Sequence, residues 1–372
     1  MNNINPDKTF DVLVLGGGPA GTSSAFHLAQ QGLSVALVER GYYHGNRMGE
    51  TIHPTAKFNL QKLGVWEQFC QDHHLPSYGN RSAWGDSNLK ENLFVFTPYG
   101  TGWHLDREKF DLMLINSARQ AGVSVFTGKK VEFINKFSSG GWSVKLSGIQ
   151  DSLSVRLLID ATGRSSNGLS FSENHRVTVD RLIGIRGIMS VKSGIRRDLY
   201  TLTESVKDGW WYSAYVPSGD LAIYFFTDAD LAKSRGYLSI NGWMSALRET
   251  VYTQLRASFS LNEEKLAIRT AASSYLNKIV EEDWLSVGDA ACAFDPLSSF
   301  GIQKGLYMGE KLALTVNNYL QLGSFTILQK YENKVKEIFN SYILQRSMFY
   351  NLEQRWPHSE FWERRLQFSI DK

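Results

Sequence analysis

Short apolar runs that end in a glycine turn recur at distant points of the chain. They are Phe10–Leu15 before Gly16, Leu157–Ile159 before Asp160-Ala161-Thr162-Gly163, and Trp284–Val287 before Gly288. Such runs are typical of parallel strands that are buried on both faces. The pattern therefore predicts an α/β domain whose strands come from separate parts of the sequence.

The pattern changes between about residues 181 and 227, where strands rich in aromatic residues follow one another. Gly209–Val216 and Asp220–Thr227 are two of them, with the turn residues Pro217-Ser218-Gly219 between them. Consecutive strands without helices between them predict an antiparallel sheet. Helices are predicted at about Arg107–Ala121, Ile240–Ala257, Ile302–Leu320 and Phe325–Phe349.

These patterns predict three parts. The first is a discontinuous domain over residues 1–80, 100–180 and 275–325. The second is an antiparallel-sheet domain for the substrate, inserted over residues 81–99 and 181–274. A C-terminal helical segment covers residues 326–372.

Composition describes an ordinary globular protein. The 40 basic and 37 acidic residues give a net charge of +3, too small to predict a nucleic-acid partner. There are only two cysteines and no apolar N-terminal signal, so we expect a cytoplasmic protein. No window approaches about 18 apolar residues, and no CxxC or HExxH spacing occurs. We therefore predict neither a membrane span nor a metal site.

Gly16-Gly17-Gly18-Pro19-Ala20-Gly21 carries the clearest chemical signal. It lies between a predicted strand and a predicted helix, the context in which a GxGxxG pattern binds a dinucleotide. Gly16 permits the turn, Gly18 lets phosphates approach, and Gly21 lets helix and strand pack. The helix N-terminus at Pro19 favours a pyrophosphate. The alternative is a glycine-rich turn in an unrelated α/β protein.

Glu39 ends the second predicted strand, Leu33–Val38. A carboxylate at this point can accept hydrogen bonds from a ribose 2′-hydroxyl. It therefore favours an unphosphorylated adenosine ribose, as in FAD or NAD.

Four motifs, in this order, resemble the FAD-dependent monooxygenase superfamily with the p-hydroxybenzoate hydroxylase fold. The superfamily also includes flavin-dependent halogenases and geranylgeranyl reductases. The motifs are the glycine loop with Glu39-Arg40, Asp106–Asp111, Asp160–Arg164 and Gly288–Pro296. The resemblance implies a Rossmann-like FAD domain and FAD as the cofactor, and it leaves the reductant open.

The resemblance also implies which residues hold FAD. Gly16, Gly18, Pro19, Ala20 and Gly21 would hold the pyrophosphate. The adenosine end and the length of the cofactor would contact Glu39, Arg40, Arg47, Arg107, Val131 and Gly163. Asp289 would hold the ribityl chain, and the isoalloxazine would meet Pro296, Ser299, Gly301 and Ile302.

Gly49-Glu50-Thr51-Ile52-His53-Pro54 resembles both the halogenases and the flavoproteins that mature cysteine tryptophylquinone in lysine ε-oxidase and glycine oxidase type enzymes. The short chain and the altered Trp-x-Trp-x-Ile-Pro signature at Trp210–Pro217 favour the maturation proteins, and we do not place the halogenase catalytic lysine. This resemblance implies a monooxygenase that hydroxylates a tryptophan in the precursor of a quinone-dependent amino-acid oxidase. The alternatives are a small-molecule hydroxylase, halogenase or geranylgeranyl-type reductase, and a flavin-binding partner without turnover.

Glu50 and His53 are the candidate catalytic proton carriers. The alternative for Glu50 is a helix cap, and the alternative for His53 is a residue of a turn or helix entry without a chemical role. The candidate substrate pocket contains Trp210, Trp211, Tyr212 and Tyr215. Alternation places Trp211 and Tyr215 on one face of their strand and the other two on the opposite face. The alternative for these rings is packing in the core between domains.

The basic and aromatic stretch 346–368 has two interpretations. It either docks a macromolecular partner or packs over the FAD domain, and we favour packing.

Overall fold

The computed structural model describes residues 9–45, 47–166, 174–191, 197–257, 260–262 and 265–366. Its helices are α1 (Pro19–Gln30), α2 (Ala56–Lys62), α3 (Trp66–Gln71), α4 (Arg107–Gln120), α5 (Ala229–Ser234), α6 (Ile240–Arg248), α7 (Thr253–Arg256), α8 (Gly301–Leu322), α9 (Phe325–Asn351) and α10 (Glu360–Leu366). Its strands are β1 (Thr9–Leu15), β2 (Val35–Glu39), β3 (Thr51–Ile52), β4 (Leu75–Ser77), β5 (Gly79–Ala83), β6 (Lys90–Leu93), β7 (Gly102–His104), β8 (Ser124–Thr127), β9 (Val131–Lys136), β10 (Trp142–Leu146), β11 (Leu153–Asp160), β12 (Arg176–Thr178), β13 (Leu182–Met189), β14 (Tyr200–Val206), β15 (Gly209–Tyr215), β16 (Leu221–Asp228), β17 (Ala267–Thr270), β18 (Ser274–Leu276), β19 (Val280–Glu281), β20 (Trp284–Ser286) and β21 (Cys292–Ala293).

The glycine-ended runs form one sheet, in the order β19-β20-β11-β1-β2-β8, with the β9–β10 hairpin joined to β11. β1 pairs in parallel with β2 and β11, and β20 pairs in parallel with β11. The carboxyl ends of these strands therefore meet at one edge of the sheet, where α/β folds bind ligands. The predicted Rossmann-like α/β fold, built from distant strands, is confirmed.

A second sheet, called the inserted sheet below, has the order β17-β13-β16-β15-β14-β5-β6. The predicted antiparallel pairing holds for most of it, but β5 and β14 are parallel. Two three-stranded sheets, β12-β18-β21 and β3-β7-β4, complete the strands described. The boundaries of the three parts of the chain remain a proposal.

The single helix predicted over Ile240–Ala257 is wrong, because the chain breaks between α6 and α7. The Thr250 hydroxyl donates to the carbonyl of Leu247 and accepts from the backbone N–H of Gln254. The Glu204 carboxylate on β14 accepts the N–H groups of Val251 and Thr253. A buried carboxylate and a threonine therefore accept the free N–H groups at the start of a second helix. The periodicity of apolar residues does not reveal this break.

Helices α1 and α8 pack in close contact. A Cβ added to Gly309 would lie 2.7 Å from both the carbonyl oxygen of Ala20 and the Cβ of Ser23. The Ser23 hydroxyl donates to the carbonyl of Leu306 at 2.8 Å. This packing fixes the start of α8 beside the glycine loop.

The C-terminal helices span both sheets. The first half of α9 packs on the first sheet through Leu328, Val335 and Phe339. From Tyr350 onward the packing partners belong to the inserted sheet, in a cluster that includes Trp84, Trp210, Phe361 and Trp362. The tail therefore packs on the inserted sheet as well as on Asp295 and Asp180 of the predicted FAD domain. Residues 367 and 368 of the predicted tail lie outside the described residues.

Among the residues described, no helix combines the length and apolarity that crossing a membrane requires.

Candidate active site

The glycine loop has the shape of a ligand cradle. Gly16 has φ +108°, and an added Cβ would lie 2.4 Å from the carbonyl oxygen of Ala161. A Cβ on Gly21 would lie 1.9 Å from the carbonyl of Gly16, whereas one on Gly18 would meet nothing within 4 Å. Helix α1 starts at Pro19 without a side-chain cap and without an acidic residue in its first turn. The loop therefore offers an open backbone and the positive end of a helix, which suit a pyrophosphate.

Glu39 lies beside this loop at the end of β2. Its Oε2 accepts the N–H of Gly17 at 2.8 Å, and its Oε1 accepts the N–H of Gly41 at 2.8 Å. Arg47 lies 3.7 Å from Oε1 and 3.2 Å from the Asp111 carboxylate. A bound ribose would donate hydrogen bonds to the same carboxylate that accepts the N–H groups of Gly17 and Gly41. This role of Glu39 stays a prediction.

Three other predicted cofactor residues flank the same edge of the sheet. Arg40 is exposed immediately after β2, and Val131 is half-buried at the start of β9. Gly163 follows β11 with φ +75°, and an added Cβ there would meet no atom within 4 Å. Their contacts to FAD remain predictions.

Arg107 holds the backbone that leads to Glu50. It donates to the carbonyls of Met48 and Gly49 and pairs with Asp111 at 3.0 Å. Arg47 and Arg107 therefore share one buried carboxylate. Arg107 and Asp111 both lie on α4, whose N-terminus is capped by Asp106, whereas Arg47 lies in the loop after β2.

Asp289 lies in a cationic environment that sequence reasoning missed. Its carboxylate is 2.8 Å from the buried Lys304 ammonium and 3.3 Å from Arg164. Burial alone would raise the pKa of Asp289, but these two cations hold it below its ordinary value. Lys304 shares the buried stripe of α8 with Met308 and Leu312, so helical periodicity could have revealed it.

The start of α8 offers a second open backbone. Ser299 has φ +52°, and a Cβ on Gly301 would meet nothing within 4 Å. The turn at Pro296 is held by Asp295, which accepts the N–H of Leu297 at 2.8 Å. Ile302 lies opposite the Gly49 loop, 3.8 Å from the position of a Cβ added there. Because α8 starts without a side-chain cap, its N–H groups face a position that suits negative charge.

The two candidate proton carriers lie in different surroundings. Glu50 is buried and accepts a hydrogen bond from the Tyr224 hydroxyl, with Arg186 3.8 Å away. His53 is half-buried against the Phe94 and Phe300 rings, and its Nδ1 is 2.9 Å from the Thr55 hydroxyl. Burial raises the pKa of Glu50 and lowers the pKa of His53.

Among the four predicted pocket residues, Tyr212 contacts the Glu50 loop directly. Its hydroxyl is 2.6 Å from the Thr51 hydroxyl. Trp210 packs on the same face of the sheet and donates to the Tyr350 hydroxyl at 3.0 Å. Trp211 and Tyr215 lie on the opposite face, in a core that this sheet forms with α6 rather than in a core between domains.

Within the described ranges, no three His, Cys, Asp or Glu side chains come together as a metal site would require. The open glycines, the two uncapped helix starts and Asp289 instead fit a dinucleotide that extends from the loop to α8.

A family model described as "FAD binding domain" matches residues 9–343. LodB of Marinomonas mediterranea, named as an FAD-dependent oxidoreductase, is 29% identical over 368 residues, which cover 97% of this chain and 98% of LodB. The structure of the chondrochloren halogenase CndH, a myxobacterial FAD-dependent halogenase, matches with a TM-score of 0.88 at 20% identity. The match covers 98% of this chain and 87% of the CndH chain.

QhpG is described as a peptidyl tryptophan dihydroxylase essential for tryptophylquinone cofactor biogenesis. It has a TM-score of 0.81 at 22% identity, over 98% of this chain and 80% of QhpG. At these identities the two solved structures establish the fold, and they leave the substrate open.

Proposed function

The chain belongs to the FAD binding domain family and is an FAD-dependent oxidoreductase, and on that premise we propose that it is a monooxygenase that hydroxylates a tryptophan of a precursor protein. The product would be an intermediate in the biogenesis of a cysteine tryptophylquinone cofactor. The precursor of a quinone-dependent amino-acid oxidase is the proposed partner, and the cytoplasm is the proposed location.

The similarities that support this proposal are the 29% identity to LodB over 97% of the chain and the fold shared with a peptidyl tryptophan dihydroxylase over 98% of it. The side chains around Glu50 support it. Tyr224, Arg186 and Arg107 are the groups that act on this carboxylate through hydrogen bonds or charge, and none of them is a lysine. A halogenase-type lysine is therefore not among the groups that act on Glu50.

Different residues would bind different parts of FAD. The glycine loop and the start of α1 would bind the pyrophosphate, Glu39 the ribose, and Asp289 the ribityl chain. The start of α8 would stabilise negative charge on the flavin. When bound, FAD would supply the oxygen-transfer chemistry, which no side chain can supply.

Glu50 would act on the substrate itself. An indole carbon that gains a hydroxyl group loses its proton, and the Glu50 carboxylate would accept that proton. Met48 and Leu297 pack against the apolar cluster that contains Tyr224, and they would help to exclude water from this position.

The test is to measure the intact mass of the precursor after incubation with the protein, chemically reduced FAD and oxygen. We expect the mass to rise by one or two oxygen atoms, with the added oxygen on one tryptophan. The matched control is a precursor in which that tryptophan is replaced by phenylalanine, which should keep its mass.

The second candidate is a small-molecule flavoenzyme, which the TM-score of 0.88 to a halogenase favours. Turnover of free indoles or phenols, together with an unchanged precursor mass, would support this candidate and overturn the first.

A further inference from the structure

Three long polar side chains form a row across the inserted sheet. Arg186 on β13 lies directly opposite Tyr224 on β16, and Tyr224 lies directly opposite Tyr212 on β15. Residues opposite each other on neighbouring strands point to the same face of a sheet. This face is the one that meets the Glu50–Thr51 segment.

The two tyrosines contact neighbouring residues of that segment. The Tyr224 hydroxyl donates to Glu50 Oε1, and the Tyr212 hydroxyl is 2.6 Å from the Thr51 hydroxyl. The two rings are 5.9 Å apart, so the pair presents two hydroxyls side by side. One hydroxyl meets a carboxylate and the other meets a neutral group.

Packing alone does not require a hydroxyl at position 224. The Tyr224 ring stacks parallel to the Phe226 ring at 5.6 Å and belongs to an apolar cluster, where a phenylalanine ring would fill the same space. A carboxylate buried beside this cluster is costly unless its partners stabilise it. The Tyr224 hydroxyl and Arg186 are the partners that the inserted sheet provides.

We propose that Tyr224 is a positioning residue whose hydroxyl, supported by Arg186, holds the Glu50 carboxylate in one orientation and favours its ionised form. The step that Glu50 performs, acceptance of the proton that the substrate carbon loses, rests on the proposed function. The contact between Tyr224 and Glu50 does not depend on it.

Among the described residues, Tyr224, Arg186 and Arg107 act on the Glu50 carboxylate, and Tyr212 also interacts with its charge. Burial raises the pKa of Glu50, while the Tyr224 hydroxyl, Arg186 and Arg107 lower it. The backbone N–H of Gly49 also donates to Glu50 Oε2 at 3.2 Å. Loss of the Tyr224 hydroxyl removes one of the groups that lower the pKa of Glu50, so burial raises this pKa further. The midpoint of Glu50 should therefore rise by about one pH unit, the size expected for one hydrogen bond to a charged group.

The first experiment titrates the carboxyl C=O infrared band of Glu50 in the FAD-loaded protein, with Glu50→Gln identifying the band. Tyr224→Phe should move the midpoint up by about one unit. Tyr212→Phe is the matched control, because it removes an equivalent buried hydroxyl that contacts Thr51; its midpoint should stay at the wild-type value. An unmoved midpoint in Tyr224→Phe overturns the inference.

The second experiment measures precursor hydroxylation against pH for the same variants. Because Glu50 must be ionised to accept a proton, the acidic limb of the rate profile should move to higher pH in Tyr224→Phe by the same amount as the infrared midpoint. A shifted midpoint with an unshifted limb overturns the role of Glu50 as acceptor. A wild-type protein without turnover on any precursor counts against the proposed function, while the infrared result still decides the role of Tyr224.

Discussion

At the scale of single residues, His104 is the clearest buried base outside the proposed proton acceptor. It is fully buried in β7, and its Nδ1 lies 3.1 Å from the Thr51 hydroxyl. Burial and the charge of Arg256 lower the pKa of His104 to about 3. His104 is therefore neutral at physiological pH, as a buried structural residue would be.

This burial predicts a loss of stability in mild acid. The unfolded chain binds the His104 proton near pH 6.5, whereas the folded chain binds it only near pH 3, so the stabilisation is present above pH 6.5 and declines as the pH falls. At pH 5 the loss should reach about 2 kcal/mol. Urea unfolding at pH 7 and pH 5 measures it.

His104→Asn should lose less stability than the wild type between those two pH values. The exposed His358→Asn is the matched control and should keep the wild-type loss. Equal losses in all three proteins would show that His104 does not carry the effect.

At the scale of elements, the contact between α1 and α8 positions both helix starts of the candidate site. Gly305 and Gly309 lie one turn apart on α8, and a Cβ on Gly305 would lie 3.3 Å from the backbone nitrogen of Ala20. Two glycines therefore let the helices approach closely, which holds the start of α8 beside the glycine loop.

Gly309→Ala should separate these helices. The added methyl group would lie 2.7 Å from the carbonyl oxygen of Ala20, so backbone must move, at a cost of about 1–3 kcal/mol. We expect weaker FAD binding, measured by titration of the apoprotein with FAD followed by flavin fluorescence. Asn318→Ala, an exposed position on the same helix, should bind FAD like the wild type. Unchanged affinity in Gly309→Ala would show that the close approach is not needed.

Sequence reasoning recovered the elements whose signal is local. The runs before Gly16, Gly163 and Gly288 appear as neighbouring parallel strands, because a buried strand and its glycine turn are encoded within a few residues. The cationic surroundings of Asp289 and the row opposite Glu50 were missed. Their members meet only through pairing between distant strands and helices, which a single sequence does not encode locally.

At the scale of the whole molecule, α9 joins the turn at the candidate site to the inserted sheet. The Asp295 carboxylate accepts hydrogen bonds from Tyr350 at 2.6 Å and from Arg346 at 3.3 Å. Arg346 also pairs with Asp180 at 2.8 Å, and Tyr350 accepts from Trp210 on the inserted sheet. A displacement of the C-terminal helices would therefore disturb both the Pro296 turn and the sheet that faces it.

Variants of two adjacent arginines on α10 measure how much the contacts of this helix contribute to the free energy of unfolding. Arg365 and Asp228 are each about 2% exposed and 2.7 Å apart, whereas Arg364, 36% exposed, contacts the same carboxylate at 2.9 Å. Arg365→Met would leave a buried carboxylate short of its main partner and should lower the free energy of unfolding by about 3 kcal/mol. Arg364→Ala should cost at most about 1 kcal/mol, because solvent screens the exposed pair. Urea unfolding with FAD retention measured in parallel distinguishes the two. If α10 instead served mainly to dock a partner, both variants would unfold like the wild type and fail only in binding the precursor.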